Sequence, residues 1–342
     1  MKNTQDIKLI RDVRLWDKVV LIDGLGRSGK SMLAPIIASF ENVEIERIEP
    51  LFERISVLDS LGKISRDAAI QMLQLEVDLR LYESMIGRNT NFRFKDHSSV
   101  FNNSFKFKYL KRIFGKDGQI VVDKILKEKP VFQVVLHDTL GQIDVYFEAF
   151  DNKVFVLEMV KDPIDLIYSW YIRGWGGRFT TDPRVGCLTY QSKVEIAPWY
   201  NLYIDGEYHE LEPIDRIIHL IEGNFIKNFN KYNKLSDERK QQILWVVLEE
   251  FVTKTEENVA RVENFLGVKR TKYTPKQLKR ERCPRILHKE DRKKKEDLIK
   301  SKASAKAFKK IEGLYDIYES IKKMQQFENI NNNHSRQSPQ ST

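Results

Sequence analysis

The run Lys18-Val19-Val20-Leu21-Ile22-Asp23 is almost wholly apolar, breaks at Gly24, and predicts a short buried β-strand. Helical spacing follows from Lys30 to Phe40, with Pro35 placed to kink it. From Ser65 to Met85, residues such as Ile70, Leu73, Val77 and Leu81 recur among polar positions, predicting a long amphipathic helix. Arg88 to Ser104 is polar and loop-like, and Phe105 to Lys129 reads as one or two helices. A second buried strand is expected over Val131 to Leu136, a helical segment to Phe150, and a third strand over Lys153 to Val160. Asp162-Pro163 then opens a helix, with Asp as cap and Pro in the first turn, where its missing N–H is not needed. Past Gly174 the periodicity dissolves until Pro213, in an excursion rich in Trp, Tyr, Gly and Pro, with a hairpin expected at Ile204-Asp205-Gly206-Glu207. A helix to Tyr232, a last strand over Gln242 to Val247, and a helix from Thr255 to Leu266 stopped by Gly267 complete the pattern.

Strands separated by helical stretches argue an α/β fold: three layers, with a central, mostly parallel sheet flanked by helices and a C-terminal helical extension. The chain reads as one domain over residues 1–325, with the excursion at about 174–213 and a basic segment at 269–325. Residues 326–342, rich in Asn, Ser and Gln, read as a disordered tail. No internal repeat is present.

Composition narrows the function classes. Of 342 residues, 41 % are apolar, enough for a sizeable core, yet no run approaches the roughly eighteen apolar residues of a membrane span. The N-terminus, MKNTQDIKLIRDVRLW, has no signal-type apolar region. Cys187 and Cys283 alone make neither a disulfide framework nor a zinc site, so no metal is expected and a cytoplasmic setting is. The net charge of +9 is concentrated: Lys269 to Lys310 holds eighteen Lys and Arg against five Asp and Glu, leaving the rest slightly acidic. That segment can be a solvated helix face, a cap over an anionic cofactor, or a surface for nucleic acid or membrane. Nucleic acid is not expected, because no RNP pattern, zinc finger or aromatic stacking array accompanies the basic stretch. The sequence leaves the oligomeric state open.

The strand-to-helix junction carries the first chemistry. Gly24-Leu25-Gly26-Arg27-Ser28-Gly29-Lys30-Ser31 matches the eight-residue P-loop pattern, with a strand before and a helix after. Its glycines let N–H groups turn toward an anion at the helix N-terminus, and Arg27 and Lys30 add full charges. Gly26, Arg27, Ser28, Gly29, Lys30 and Ser31 are therefore the candidate phosphate-binding residues. The pattern alone admits ATP, GTP or a phosphosulfate.

The third strand ends in Lys161-Asp162-Pro163, with Ser169 eight residues past Lys161. Here the sequence resembles the sulfotransferases that use 3′-phosphoadenosine 5′-phosphosulfate (PAPS). That family pairs a P-loop-like phosphosulfate loop with a strand ending in Arg-Asp/Asn-Pro and a Ser eight residues beyond. A further block, Leu248-Glu249-Glu250-Phe251 through Asn264-Phe265-Leu266-Gly267, resembles the family's late strand–helix segment closing in F-L-G. The resemblance covers about Asp17 to Arg285. It implies that Lys161 and Ser169 bind the 3′-phosphate, and that Arg280 or Arg282, within the basic run at 279–285, closes over it. The chain departs from the family in having Lys30 where Ser or Thr is usual, Lys161 where Arg is usual, and no glycine in the 279–285 run.

By position after the second strand, His137 resembles the family's catalytic base, a role that suits an imidazole accepting a proton near pH 7. His97 or Asp96, in the loop before Phe105, and carboxylates elsewhere are the other candidates. With His137 as base and Arg27 and Lys30 stabilising the developing charge, the implied reaction is in-line sulfuryl transfer from PAPS to an acceptor hydroxyl, leaving 3′-phosphoadenosine 5′-phosphate (PAP) and needing no metal. The sequence leaves the acceptor open among sugar, lipid, phenol and peptide hydroxyls; a small molecule or glycan is expected, with the aromatic excursion pointing toward a glycan or glycolipid. Trp170, Tyr171, Trp175, Trp199, Tyr200 and Tyr203 are either its platform or the packing of the excursion. Two other readings stand beside this one. A P-loop kinase or NTPase would use Asp138, ending Val134-Val135-Leu136-His137, to hold Mg²⁺. A non-catalytic nucleotide-binding protein would keep the fold without the base.

Overall fold

The computed structural model describes residues 7–203 and 208–337. Its central sheet has five strands: β1 (Lys18–Asp23), β2 (Arg47–Ile48), β3 (Val131–Val135), β4 (Val154–Val160) and, after a two-stranded hairpin of β5 (Thr189–Gln191) and β6 (Ile196–Pro198), β7 (Ile243–Val247). The order is β2-β3-β1-β4-β7, and every pairing is parallel. This is the α/β architecture expected from the sequence.

The continuous apolar strands have a simple cause: both faces of the sheet are covered. Successive side chains alternate, so Val19 and Leu21 enter one core and Val20 and Ile22 the other. The first core is closed by the helices Pro50–Ser60, Arg66–Met85, Asp144–Phe150, Pro163–Tyr171 and Pro213–Lys234. The second is closed by Lys30–Ile37, Thr255–Leu266 and Thr274–Arg280. Ser65 caps the Arg66–Met85 helix, and Gly267 ends Thr255–Leu266 in the left-handed region, the stop read from sequence.

Topology fixes where a ligand can bind. After β1 the chain builds β2 and β3 on one side, then crosses to β4 on the other. The crevice at the C-terminal ends of β1 and β4 is therefore a switch point, where open parallel sheets bind ligands. Gly24 and Lys161 both stand there.

The structure differs from the sequence reading at several places. The edge strand β2 and the helix Pro50–Ser60 went unread. The excursion's hairpin is β5–β6, turning at residues 192–195, whereas the expected turn at Ile204-Asp205-Gly206-Glu207 lies outside the described residues. The last helix, Ala305–Gln337, runs past Asn329, so the backbone of 326–337 is helical where composition had suggested disorder. Among the described residues no helix is long and apolar enough to cross a membrane.

Candidate active site

The loop after β1 is shaped by positions that reject side chains. Gly24 has φ +123°, and a Cβ there would lie 2.2 Å from the Met159 carbonyl oxygen. Arg27 (φ +71°) and Gly29 (φ +113°) turn the chain back into the helix that starts at Lys30. Among the described residues the backbone N–H groups of Arg27, Gly29, Lys30 and Ser31 have no hydrogen-bond acceptor, and the Ser28 hydroxyl is buried without a partner. This concave set of donors suits an anion.

Lys30 is turned beneath the loop. Its ammonium is buried and donates to the carbonyl oxygens of Gly24 and of Leu25, the latter at 2.7 Å. Burial lowers its pKa to about 8, against the pull of Asp23, Glu158, Glu53 and Asp138. Asp23 in turn accepts from Thr139, at 2.8 Å from the amide and 2.7 Å from the hydroxyl. Lys30 thus ties the loop to itself, and the loop cation facing solvent is Arg27.

Lys161 leaves the end of β4 half-buried, and no hydrogen bond or ion pair engages its ammonium among the described residues. Burial lowers its pKa. Asp165 and Glu249 oppose that shift, while Lys295 and Arg27 add to it. Ser169, on the Pro163–Tyr171 helix, is buried, and its hydroxyl accepts from Arg173 at 3.2 Å. Burial and then Arg173 lower the pKa of Arg27. Arg27, Lys161 and Arg173 therefore concentrate positive charge at the switch point. Arg173 went unread, although it lies one helical turn beyond Ser169.

The other end of the loop opens onto a cleft of about 540 Å³, whose lining includes Gly26, Glu53, His137, Trp170, Arg173 and Trp175. His137 Nδ1 lies 2.8 Å from Glu53 Oε1. A carboxylate there holds the ring proton on Nδ1 and leaves Nε2 as the basic nitrogen. Trp170 donates to the Gly26 carbonyl at 2.7 Å, and a Cβ on Gly26 would meet the Trp175 ring at 2.6 Å. Trp175, Phe179 and Tyr200 continue the aromatic wall through edge-to-face contacts, with Trp199 beside Tyr200. Tyr171 does not line the cleft, and the side chain of Tyr203 is outside the described set.

Of the remaining candidates only Asp138 lines the cleft, and its carboxylate is already engaged. Asp138 is buried, accepts from Lys227 at 2.8 Å and Asn228 at 2.7 Å, and is raised to about 6 by burial. Both its oxygens are engaged, so it offers no free one to a metal-bound water. Among the described residues no group of three or more His, Cys, Asp or Glu could hold a metal. Asp96 pairs with Asn91 and Arg93, and His97 stands near Glu281; neither lines the cleft. Arg280 is bound to Asn102, at 3.0 Å from its carbonyl oxygen, and Arg282 is exposed. It is Arg285 that rests on the helix after the loop, 3.1 Å from the Met32 sulfur, held there by its own amide on Val252 at 2.8 Å.

The C-terminal extension straps this arrangement from behind. Arg292 and Tyr315 reach Asp162 at 3.3 and 2.9 Å, Lys295 reaches Asp165, and Tyr318 donates to Glu249 at 2.8 Å. Asp162 also caps its own helix through the Asp165 amide.

No family model matches the chain, and no curated protein matches it. Among solved structures the chain is similar to the sulfotransferase domain from the curacin biosynthetic pathway, at 12 % identity and a TM-score of 0.42 over 81 % of this chain and 82 % of that one. It is similar to the sulfotransferase domain of the Synechococcus PCC 7002 olefin synthase, at 10 % identity and 0.39 over 77 % and 78 %. A sulfotransferase from Mycobacterium avium gives 10 % identity and 0.37 over 79 % and 68 %.

Proposed function

We propose that the chain is a sulfotransferase that takes its sulfuryl group from PAPS and delivers it to a hydroxyl of a small molecule or glycan held in the aromatic cleft. The observation that carries this reading is the unpaired Lys161 ammonium beside Arg27, at the far end of a phosphate loop whose near end opens on the His137–Glu53 pair. An ATP-type reading leaves that second cationic position without a role. The loop N–H groups and Arg27 suit the 5′-phosphosulfate; Lys161, Ser169 and Arg173 suit the 3′-phosphate, with Arg285 the basic residue of the C-terminal segment that touches Met32 on the loop helix.

PAPS would supply an activated sulfuryl group on a phosphate leaving group. The protein's own part is proton transfer and charge. His137 Nε2 takes the acceptor hydroxyl proton, and Glu53 steadies the imidazolium that results. Arg27 and the loop amides are fixed where negative charge grows, so little reorganisation is needed. Lys30 keeps the loop in shape.

The test compares PAP with AMP in a thermal-shift titration without Mg²⁺. PAP is expected to stabilise the protein by about 2.7 kcal/mol at a hundredfold excess over Kd, and AMP by much less at equal concentration. Lys161→Ala should weaken PAP binding by about 1.5–3 kcal/mol, the scale of a hydrogen bond to a charged group, and leave AMP nearly unchanged. Equal shifts from PAP and AMP in the native chain would end the PAPS reading. A requirement for Mg²⁺ with ATP would replace it with the kinase reading.

A further inference from the structure

Residues 92–114 hold six of the chain's 19 phenylalanines, and from Arg88 to Lys116 eight Lys and Arg stand against one acid, Asp96. Phe101 and Phe105 are the inner anchors of this region, packed on the cluster of Ile45, Val100 and Tyr109. Phe94, Phe107 and Phe114 do the opposite: they are 72 %, 67 % and 90 % exposed. Phe107, Lys111 and Phe114 are spaced i, i+4, i+7 along the helix Lys106–Arg112 and its continuation, so they share its outward side.

The helix cannot roll to hide these rings. On its inward side Tyr109 accepts from the Ile45 amide at 2.6 Å, and Arg112 clasps Glu44 with contacts of 2.5 and 2.9 Å. Cations border the rings. Lys106 lies over Phe107, 5.4 Å from its centre, and Lys111 and Lys116 have no acidic partner among the described residues. The neighbouring helix Thr274–Arg280, which carries the exposed Lys276 and Lys279, is joined through the Phe105–Tyr273 ring contact at 5.1 Å and the Ser104–Gln277 hydrogen bond at 2.8 Å. Beyond it, Ile286 is 81 % exposed between Arg285 and Lys289.

We infer that this face, built on the Lys106–Arg112 helix, docks on an anionic membrane surface. Rings and aliphatic side chains raised among lysines match an interface in which apolar groups enter the headgroup layer and ammonium groups meet anionic lipids. Single-stranded nucleic acid fits less well. Phe94 already has one face stacked on Phe101 at 4.2 Å, and Ile113 and Ile286 offer a base nothing to stack on. The inference gives the basic C-terminal segment a second role and does not depend on the sulfotransferase reading.

Vesicle co-sedimentation of the full chain tests it. Binding is expected to vesicles of phosphatidylcholine with roughly a third phosphatidylserine, weakening with salt, and not to phosphatidylcholine alone. Phe107→Ser/Phe114→Ser should lower the partition coefficient at least about tenfold at both low and physiological salt. Lys111→Gln/Lys116→Gln should lower it a few-fold, chiefly at low salt. Unchanged melting curves, expected for exposed positions, exclude misfolding, and Phe114→Ser alone serves as a milder variant. Absence of binding by the native chain, or equal binding by the phenylalanine variants, overturns the proposal. So does tighter binding to a single-stranded oligonucleotide that is lost in those variants.

Discussion

Replacing His137 with Ala is expected to lower turnover by about 10²–10⁴ while PAP affinity stays nearly unchanged. The expectation follows from placement. His137 stands just past the C-terminal end of β3, in the cleft beside Gly26, and no contact links it to Lys161 or Ser169. A base acts on the acceptor proton, so its loss belongs in the chemical step and not in donor binding. Glu53→Gln separates orientation from structure. The amide keeps the shape of Glu53 but can stabilise neither the imidazolium nor one fixed tautomer. Turnover should therefore fall less than in His137→Ala. Release of PAP from PAPS, followed with a panel of hydroxyl acceptors, gives the rates, and titration of PAP gives the affinity. Parallel loss of turnover, PAP affinity and thermal stability would make His137 a structural residue.

The sequence was most readable where a rule is local. The strand at Lys18–Asp23, the glycine-shaped loop and the Asp162 cap depend on residues within a few positions of one another, and each was found where expected. The two-residue strand β2 is too short for any alternation to register, and it forms because β3 supplies a partner. The Pro50–Ser60 helix did carry a signal, Pro in its first turn, and missing it hid Glu53, the partner of His137. Arg173 was within reach by helical spacing from Ser169. Arg285 was not: three arginines within six positions, at 280, 282 and 285, look alike in a line of sequence, and only the packing of Cys283 and Arg285 on Met32 separates them. The direction of Lys30 was equally hidden, since a P-loop pattern does not say whether its lysine faces the ligand or the loop's own carbonyls.

Arg112→Met is expected to destabilise the fold by about 3–5 kcal/mol, the usual consequence of stranding one member of a buried ion pair. Arg112 and Glu44 are both buried, their two contacts are 2.5 and 2.9 Å, and Arg112 also donates to the Ser84 carbonyl at 3.1 Å. Burial alone would push the Glu44 carboxyl up from its ordinary 4.5, but hydrogen bonding and charge from Arg112, with Lys108, outweigh it and hold the group well below that value. The sign follows. A depressed carboxyl contributes stability that is present above the unfolded pKa and is lost as pH falls through the folded one. The native chain should therefore keep this contribution near neutral pH and lose it progressively as pH falls below the unfolded carboxyl value. In Arg112→Met the balance reverses: Glu44 keeps only the half-exposed Lys108 and the Ser84 hydroxyl, its pKa rises, and stability should fall as pH rises above the unfolded carboxyl value. Urea unfolding at pH 7 and at pH 5 reads both effects, with midpoint differences converted at constant m. Glu44→Leu/Arg112→Met should recover most of the loss, because the unpaired charge is gone and Lys108 can return to water. If the single variant unfolds within about 1 kcal/mol of the native chain at pH 7, the pair is not what pins the Lys106–Arg112 helix, and the fixed exposure of Phe107 and Phe114 loses its structural cause.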